Sequence, residues 1–64
     1  MSTAKAEKAV LEVLKANAGK MDAPALSASL QKKSVSAARR REALLRLATQ
    51  QKVKVASGRV ELIK

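Results

Sequence analysis

Three kinds of side chain are missing from this 64-residue chain, which contains no cysteine, no histidine and no aromatic residue. Without cysteine and histidine there are no disulfides, thiolate nucleophiles, imidazole bases or ordinary zinc and copper ligands. Without aromatic rings the chain lacks the stacking platforms that bind single-stranded nucleic acids and the anchors that hold amphipathic helices at a membrane interface. We therefore expect no catalytic residues, no cofactor, no metal centre and no membrane attachment.

Acidic residues and long apolar runs are also scarce. Five acids stand against fourteen Lys and Arg, which gives a formal net charge of +9, and the acids form no pair suited to general acid and base catalysis. No apolar run approaches the roughly 20 residues that span a bilayer, and the start of the chain lacks the apolar core of a secretory signal. We expect a non-enzymatic cytoplasmic protein, nucleoid-associated if bacterial, with no small-molecule ligand. We interpret the chain as a complete short gene product, with an excised domain as the alternative.

The positive charge is concentrated in the second half of the chain. Residues 34–64 carry all five arginines and three lysines against two acids, whereas residues 1–33 carry six lysines against three acids. Arginine suits planar, bidentate recognition of phosphate or guanine better than lysine does. The distribution favours binding of a polyanion, of which double-stranded DNA is the commonest, over a basic surface that only confers solubility.

The apolar spacing of the first segment predicts an amphipathic helix from about Ser2 to Asn17. Its buried stripe contains Ala6, Val10, Val13, Leu14 and Asn17. Gly19 is predicted to end the helix, because glycine adopts the left-handed conformation after a helix without a Cβ penalty.

A second helix is predicted from about Ala23 to Gln31. Asp22 is placed to cap its free backbone amides, and Pro24 lies in the first turn, where a missing amide costs nothing. Leu26 and Leu30 stand four residues apart, so they bury one edge of this helix.

A short connection over residues 32–34 leads to a third helix, predicted from about Ala37 to Thr49. A turn of this length makes the two helices cross rather than run antiparallel. Val35 is expected to fix the corner in the core, and Ser36 or Ser34 to cap the third helix.

After residue 51 the apolar period changes from helical to alternating, which predicts a β-hairpin. Ser57 and Gly58 form its tight two-residue turn, with Gly58 supplying the positive φ. Four apolar residues face each other on one side, namely Val53 and Val55 opposite Val60 and Leu62. The other side is mainly basic, Ile63 is expected to pack beneath the hairpin, and Met21 to add a single residue of strand.

The order helix, helix, helix, strand, strand resembles the winged helix-turn-helix family over nearly the whole chain, up to Ile63. The residues that carry the resemblance are Leu26, Leu30, Val35, Ser36, Leu44, Leu47 and Val53. Two positions depart from the family pattern: Gln51 stands where a glycine often joins the third helix to the wing, and Arg40 stands where an apolar residue is usual. Because of Gln51, the predicted end of the third helix is defined only to within a residue or two. The second indicates either a slightly rotated helix or an arginine stem that lies along the core.

The resemblance implies one domain over residues 1–64, mainly α with a small β-hairpin, in which three helices are followed by a two-stranded wing. In the family the third helix commonly enters the major groove of DNA, and the hairpin tip touches the backbone or minor groove. The implied function is that of a small double-stranded DNA-binding protein, either a transcriptional regulator or a nucleoid-associated factor, and a homodimer or higher assembly stays open. The alternative is a winged-helix adaptor that docks an acidic partner protein.

Helical geometry assigns the arginines of the third helix to different faces. With Leu44 at the centre of the buried stripe, Arg39 and Arg46 point away from the core, and Arg40 and Arg41 flank it. Arg39, Arg40 and Arg41 are all expected among the DNA-binding residues. Arg39 lies in the first turn and is the expected reader of guanine O6 and N7. We expect these guanidinium groups to be held outward, free of the domain's own carboxylates.

Phosphate contacts are expected ahead of the third helix, from Lys32, Lys33, Ser34 and Ser36, because helix N-terminal amides, hydroxyls and ammonium groups converge there. Ser36 has the alternative role of a plain cap. Ala37 leaves room for close approach to DNA, with the alternative role of an ordinary helix former.

On the wing, Arg59 is expected in the minor groove, with Lys54 reinforcing the same positive surface. The alternative is a solvated hairpin tip. Arg46 and Lys52 are weaker candidates, since either could instead complement the C-terminal end of the third helix dipole. If about five phosphates are neutralised, log affinity should fall with log salt at a slope of roughly −4 to −5.

Overall fold

The fold consists of three helices and a small antiparallel sheet. The computed structural model describes residues 2–63, so the first and last residues of the expected 1–64 domain lie outside it. The elements in chain order are α1 (Thr3–Ala16), β1 (Lys20–Asp22), α2 (Ala23–Lys32), α3 (Ala37–Thr49), β2 (Val53–Ala56) and β3 (Arg59–Leu62). This is the predicted mainly α architecture with a hairpin after the third helix, and its outline is winged helix-like.

Serine caps begin two of the helices. Ser2 and Ser36 each accept a hydrogen bond from the backbone amide three residues further on, at 3.3 and 3.2 Å, which confirms Ser36 as the cap of α3. α2 begins directly after Asp22 with Pro24 in its first turn, as predicted. The expected capping by the Asp22 carboxylate is wrong, because this side chain makes no cap hydrogen bond and lies beside Arg59 instead.

Each helix ends in a Schellman motif, in which a left-handed residue follows the C-cap and the next amide bonds to a carbonyl five residues back. The three hydrogen bonds join Gly19 N to Leu14 O (2.7 Å), Val35 N to Leu30 O (3.0 Å) and Lys52 N to Leu47 O (2.9 Å). The three left-handed residues are Ala18, Ser34 and Gln51, with φ of 63°, 65° and 59°. None of them is a glycine, although this conformation costs an L residue about 1–2 kcal/mol.

These helix ends correct two expectations. Gly19 does have a positive φ, of 86°, but the residue directly after the C-cap of α1 is Ala18. Ser34 does not cap α3, because it closes α2, which extends one residue further than predicted. Gln51 adopts the conformation that a glycine would otherwise supply, and α3 therefore keeps both of its predicted ends.

The strands form one antiparallel sheet in the order β1–β3–β2. The hairpin has the predicted register on its apolar face, where Val53 pairs with Leu62 and Val55 with Val60. Its turn residues Ser57 and Gly58 both have positive φ, 53° and 73°, as a type I′ turn requires. β1 contributes three residues of strand around Met21 rather than the single one predicted, so the wing is backed by a third strand.

The core lies between the three helices and the inner face of the sheet. Its buried residues are all aliphatic, namely Ala6, Val10, Val13, Leu14, Leu26, Leu30, Val35, Ala43, Leu47, Val53 and Val60. Two residues expected in apolar packing are exposed: Ile63 is 48% exposed, and Asn17 donates a hydrogen bond of 2.8 Å from Nδ2 to the carbonyl oxygen of Val13. Within residues 2–63 no helix is both long enough and apolar enough to cross a bilayer.

α3 is rotated relative to its predicted orientation. Ala43 and Leu47 are 0% and 1% exposed, whereas Leu44 is only partly buried, so the placement of Leu44 at the centre of the buried stripe is wrong. Ala6 of α1 is also fully buried, and small side chains on both helices allow α1 and α3 to pack closely. The rotation changes which side chains of α3 face outward.

Candidate nucleic-acid interface

α2, the connecting turn and α3 form a helix-turn-helix unit. The turn covers residues 33–36 and is held by Val35, which is 1% exposed and inserts into the core as predicted. The predicted site residues of this segment all lie on the surface; they are Lys32, Lys33, Ser34, Ser36 and Ala37. The fold therefore places them together at the entrance to α3.

Arg40 is hydrogen-bonded to the turn that precedes α3. Its side chain is half-buried, and Nη1 donates a hydrogen bond of 2.7 Å to the carbonyl oxygen of Val35. Arg40 occupies the position four residues into the helix, where an apolar side chain often packs on the residue that precedes the cap. α3 is rotated and Arg40 is partly buried, so neither of the two interpretations of this position excludes the other.

The guanidinium of Arg39 contacts the beginning of α1. Its Nη1 donates to Thr3 Oγ1 at 3.0 Å and lies 3.3 Å from Glu42 Oε2. Thr3 Oγ1 in turn donates to Glu42 Oε1 at 2.9 Å, so the three side chains form a closed network across α1 and α3. The Arg39 side chain remains 45% exposed.

Two further arginines lie beside carboxylates of the domain. Arg46 Nε is 3.2 Å from Glu7 Oε1, and Arg59 Nε is 3.5 Å from Asp22 Oδ1. Glu7 Oε1 is buried and accepts no hydrogen bond among residues 2–63, so the Arg46 charge is its nearest compensation. The expectation that the guanidinium groups are free of the domain's own carboxylates is therefore wrong for Arg39, Arg46 and Arg59.

Arg41 is placed differently from these three arginines. It is exposed, and no carboxylate of the described chain lies within 4.0 Å of its guanidinium. It shares the solvent side of α3 with Ala38, three residues before it, and Leu45, four residues after it. We call these three residues the outer ridge.

The outer face of the sheet carries mixed charge. Lys54 lies opposite Glu61, which is flanked on its other side by Lys20, and Arg59 lies between Ala56 and Asp22. Lys54 and Arg59 do share one face, as predicted, but two carboxylates alternate with them. The wing is consequently less positive than the sequence alone indicates.

Comparisons with protein-family models, with curated proteins and with solved structures find no match. Function must therefore be argued from the residues of this chain and their geometry.

Sequence reasoning missed the outer ridge because it counted Leu44 and not Ala43 as a core residue. The available signal was the four-residue spacing of Ala43 and Leu47, which places Leu45 on the opposite side of the helix. The Arg39–Glu42 pair was also readable as a three-residue spacing on one helix. By contrast, Arg46 and Glu7 lie on two separate helices, so no spacing within a short stretch of sequence predicts their contact.

An open groove lies at the end of the sheet away from the hairpin turn, with a volume of about 640 Å³. Leu11, Leu62 and Ile63 provide apolar surface in it. Its charged lining residues are Lys15, Lys20, Lys52 and Glu61, and none of the three lysines lies within 4.0 Å of a carboxylate of residues 2–63. This combination of apolar surface and lysine heads is distinct from the outer ridge.

Proposed function

We propose that this chain is a small non-enzymatic protein of the winged helix-turn-helix family that binds double-stranded DNA, as a transcriptional regulator or nucleoid-associated factor. α3 enters the major groove, and the hairpin touches the backbone or minor groove. The observation that carries the proposal is the outer ridge on the helix that follows the turn, because no carboxylate of residues 2–63 lies within 4.0 Å of the Arg41 guanidinium.

The cations of the turn support the same face. Lys32 and Lys33 are exposed at the end of α2, and neither pairs with a carboxylate in the described part of the chain. Ser34, Ser36 and the first amides of α3 follow directly, so phosphate oxygens would find ammonium groups, hydroxyls and helix N-terminal amides together. Ser36 caps α3 in any case, and a phosphate contact would be an additional role.

The ion pairs of Arg39 and Arg59 do not remove these arginines from the proposal. Their side chains are 45% and 54% exposed, and exposed ion pairs are worth only about 0–1 kcal/mol, so a phosphate can exchange with the carboxylate at little cost. Arg46 is different, because its release would leave the buried Glu7 Oε1 without its nearest compensating charge. Arg39 is nevertheless a weaker candidate for a base contact than Arg41, because its head is directed toward Thr3.

Salt dependence tests the proposal at the level of charge. With about five phosphates neutralised, raising salt from about 50 to 200 mM should weaken binding to a duplex roughly 250- to 1,000-fold. Fluorescence anisotropy with a labelled duplex measures this directly. Salt-independent binding, or none at low salt, would remove DNA as the partner.

A matched pair of variants tests the location of the interface. Arg41→Gln and Lys8→Gln each remove one exposed positive charge, from α3 and from α1 respectively. We expect the Arg41 variant to lose about 5- to 150-fold in duplex affinity, as for a bidentate contact worth about 1–3 kcal/mol. The Lys8 variant should lose much less. Equal losses would show that only net charge matters and that α3 is not the reading element.

The groove favours one second candidate function, an adaptor that docks an acidic segment of a partner protein with aliphatic side chains. Lysine heads beside Leu62 and Ile63 complement both the charge and the apolar surface of such a segment. Amide shifts on titration with duplex DNA separate the two candidates. Shifts at Lys32, Lys33 and Arg41 support DNA binding, whereas silence there, together with shifts in the groove on adding an acidic peptide, supports the adaptor.

A further inference from the structure

The outer ridge alternates apolar and cationic side chains along one line of α3. Ala38, Arg41 and Leu45 lie at positions i, i+3 and i+7, so their Cα atoms span about 10 Å of helix axis. Leu45 is 68% exposed, more than the other exposed large apolar residues in the described chain, Val55 at 51% and Ile63 at 48%. The ridge therefore offers an aliphatic group on each side of a guanidinium.

The Thr3 network keeps the only acid of α3 away from this ridge. Both carboxylate oxygens of Glu42 are occupied, Oε1 by the Thr3 hydroxyl at 2.9 Å and Oε2 by Arg39 at 3.3 Å. A carboxylate directed toward solvent beside Arg41 would repel phosphate and compete for the guanidinium. In this network the Glu42 carboxylate is directed toward Thr3 and Arg39, and no carboxylate of residues 2–63 lies within 4.0 Å of the Arg41 guanidinium.

The floor of the DNA major groove offers two chemical features that match such a ridge. Guanine presents O6 and N7 to an arginine fork, and thymine presents its C5-methyl group to apolar side chains. Base pairs follow one another at about 3.4 Å, so about 10 Å of ridge covers about three steps. An aliphatic, cationic, aliphatic series thus fits a guanine with thymines on either side.

We propose that Leu45, with Ala38, makes α3 selective for thymine methyl groups that flank a guanine contacted by Arg41. This inference rests on the proposed DNA-binding function and adds the feature that the helix reads. Leu45 then acts as a specificity-determining residue through apolar contact with the C5-methyl group, and removal of that group from the DNA should weaken binding.

A second copy of the chain is the other occupant that an exposed leucine could have. The ridge does not favour it, because Leu45 is separated from Ala38 by the charged Arg41 and forms no continuous apolar stripe. Two copies each carrying a formal charge of +9 also repel one another. DNA satisfies both the charge and the apolar side chain.

The experiment uses the full chain and duplex DNA. The tightest-binding sequence is recovered from a random duplex pool, remade with uracil in place of single thymines, and titrated by anisotropy at fixed salt. We expect uracil at one or two positions to weaken wild-type binding about fourfold each, the factor that corresponds to about 0.8 kcal/mol for one buried methyl group. Leu45→Ala should bind the thymine duplex about fourfold more weakly and lose its response to uracil at the thymine that Leu45 contacts, while a response at the thymine that Ala38 contacts persists.

Ile63→Ala is the matched control, because it also shortens an exposed aliphatic side chain but lies at the far end of the sheet. It should keep the response to uracil, and far-ultraviolet circular dichroism should show all variants folded. If wild type binds duplex DNA but ignores the uracil substitutions, or if Leu45→Ala responds as wild type does, this inference is wrong and the proposed function stands.

Two further outcomes would also overturn the inference. Absence of salt-dependent binding to any duplex would overturn both the inference and the proposed function. A wild-type dimer in sedimentation that Leu45→Ala dissociates would assign the leucine to a second copy of the chain and overturn the inference alone.

Discussion

Arg40 donates a hydrogen bond of 2.7 Å from Nη1 to the carbonyl oxygen of Val35, so α3 holds in place the turn that precedes it. The same turn is anchored from the other side, because Val35 is buried and its amide bonds to the carbonyl oxygen of Leu30 at 3.0 Å. Both backbone polar groups of Val35 are thus satisfied. This arrangement fixes the direction in which α3 leaves the turn and hence where the outer ridge points.

Removing Arg40 should therefore destabilise the domain. Arg40→Ala loses a half-buried hydrogen bond and the packing of the stem, and we expect the free energy of unfolding to fall by about 1–2 kcal/mol. Arg40→Met keeps the stem and should recover part of that loss. Urea denaturation followed by circular dichroism measures both variants. An Arg40→Ala variant as stable as wild type would show that the bond contributes nothing to the fold.

Replacing the left-handed residue after α3 should stabilise the domain. Gln51 has a φ of 59°, and glycine adopts this conformation without the Cβ penalty, so Gln51→Gly should raise the free energy of unfolding by up to about 1 kcal/mol. For a domain of this size that corresponds to roughly 4–8 °C in Tm.

Ala28→Gly is the control for Gln51→Gly, because Ala28 is exposed within α2, where glycine costs about 1 kcal/mol. The two glycine substitutions should thus change Tm in opposite directions. A lower Tm for Gln51→Gly would mean that the left-handed position carries no strain worth removing.

The rotation of α3 predicts unequal effects for two neighbouring leucines. Leu47 is 1% exposed, and Leu47→Ala should cost about 2–5 kcal/mol, a large share of the roughly 3–10 kcal/mol expected for a chain of this length. Leu44 is only partly buried, so Leu44→Ala should cost less than half as much. Thermal denaturation of the two variants decides the order. A larger loss at Leu44 would restore the orientation that the sequence alone suggested.

Neutralising the acid of α3 should strengthen DNA binding. Glu42→Gln removes a negative charge that lies 3.3 Å from Arg39, and we expect duplex affinity to rise severalfold at low salt with little change in stability, since exposed ion pairs contribute about 0–1 kcal/mol. Glu12→Gln removes the same charge from an exposed position on α1 and is the control. Equal gains from the two variants would locate the effect in net charge and not in α3.

Features that depend on a few neighbouring residues were predictable. The bounds of α3, the Ser36 cap and the register of the hairpin all follow from caps, turn residues and apolar periodicity within short windows. The helix ends were less predictable. The preference for glycine at the left-handed position is outweighed there by the Schellman hydrogen bonds together with the burial of the residue that follows. At the end of α2 the buried residue is Val35, and its burial offsets the cost of the left-handed conformation of Ser34.

The surface placement of some candidate site residues was predicted. Lys32, Lys33 and Ser36 lie on the surface of the helix-turn-helix unit, as the sequence indicated. The surroundings of Arg39 and Arg41 were not predicted, because the buried stripe contains Ala43 with Leu47 and not Leu44 with Leu47, and this difference of one residue rotates α3 about its axis.

Sequence alone determined that this chain builds an aliphatic three-helix core with a hairpin and a strong excess of positive charge, because composition, apolar spacing and turn residues act locally or as simple sums. Tertiary packing alone decided which arginines lie beside a carboxylate of residues 2–63 and which do not. Thr3 and Glu42 stand 39 residues apart and meet only because α1 packs on α3. The orientation of a helix about its own axis depends on the shape of the surface it packs against, and that surface exists only once the chain has folded.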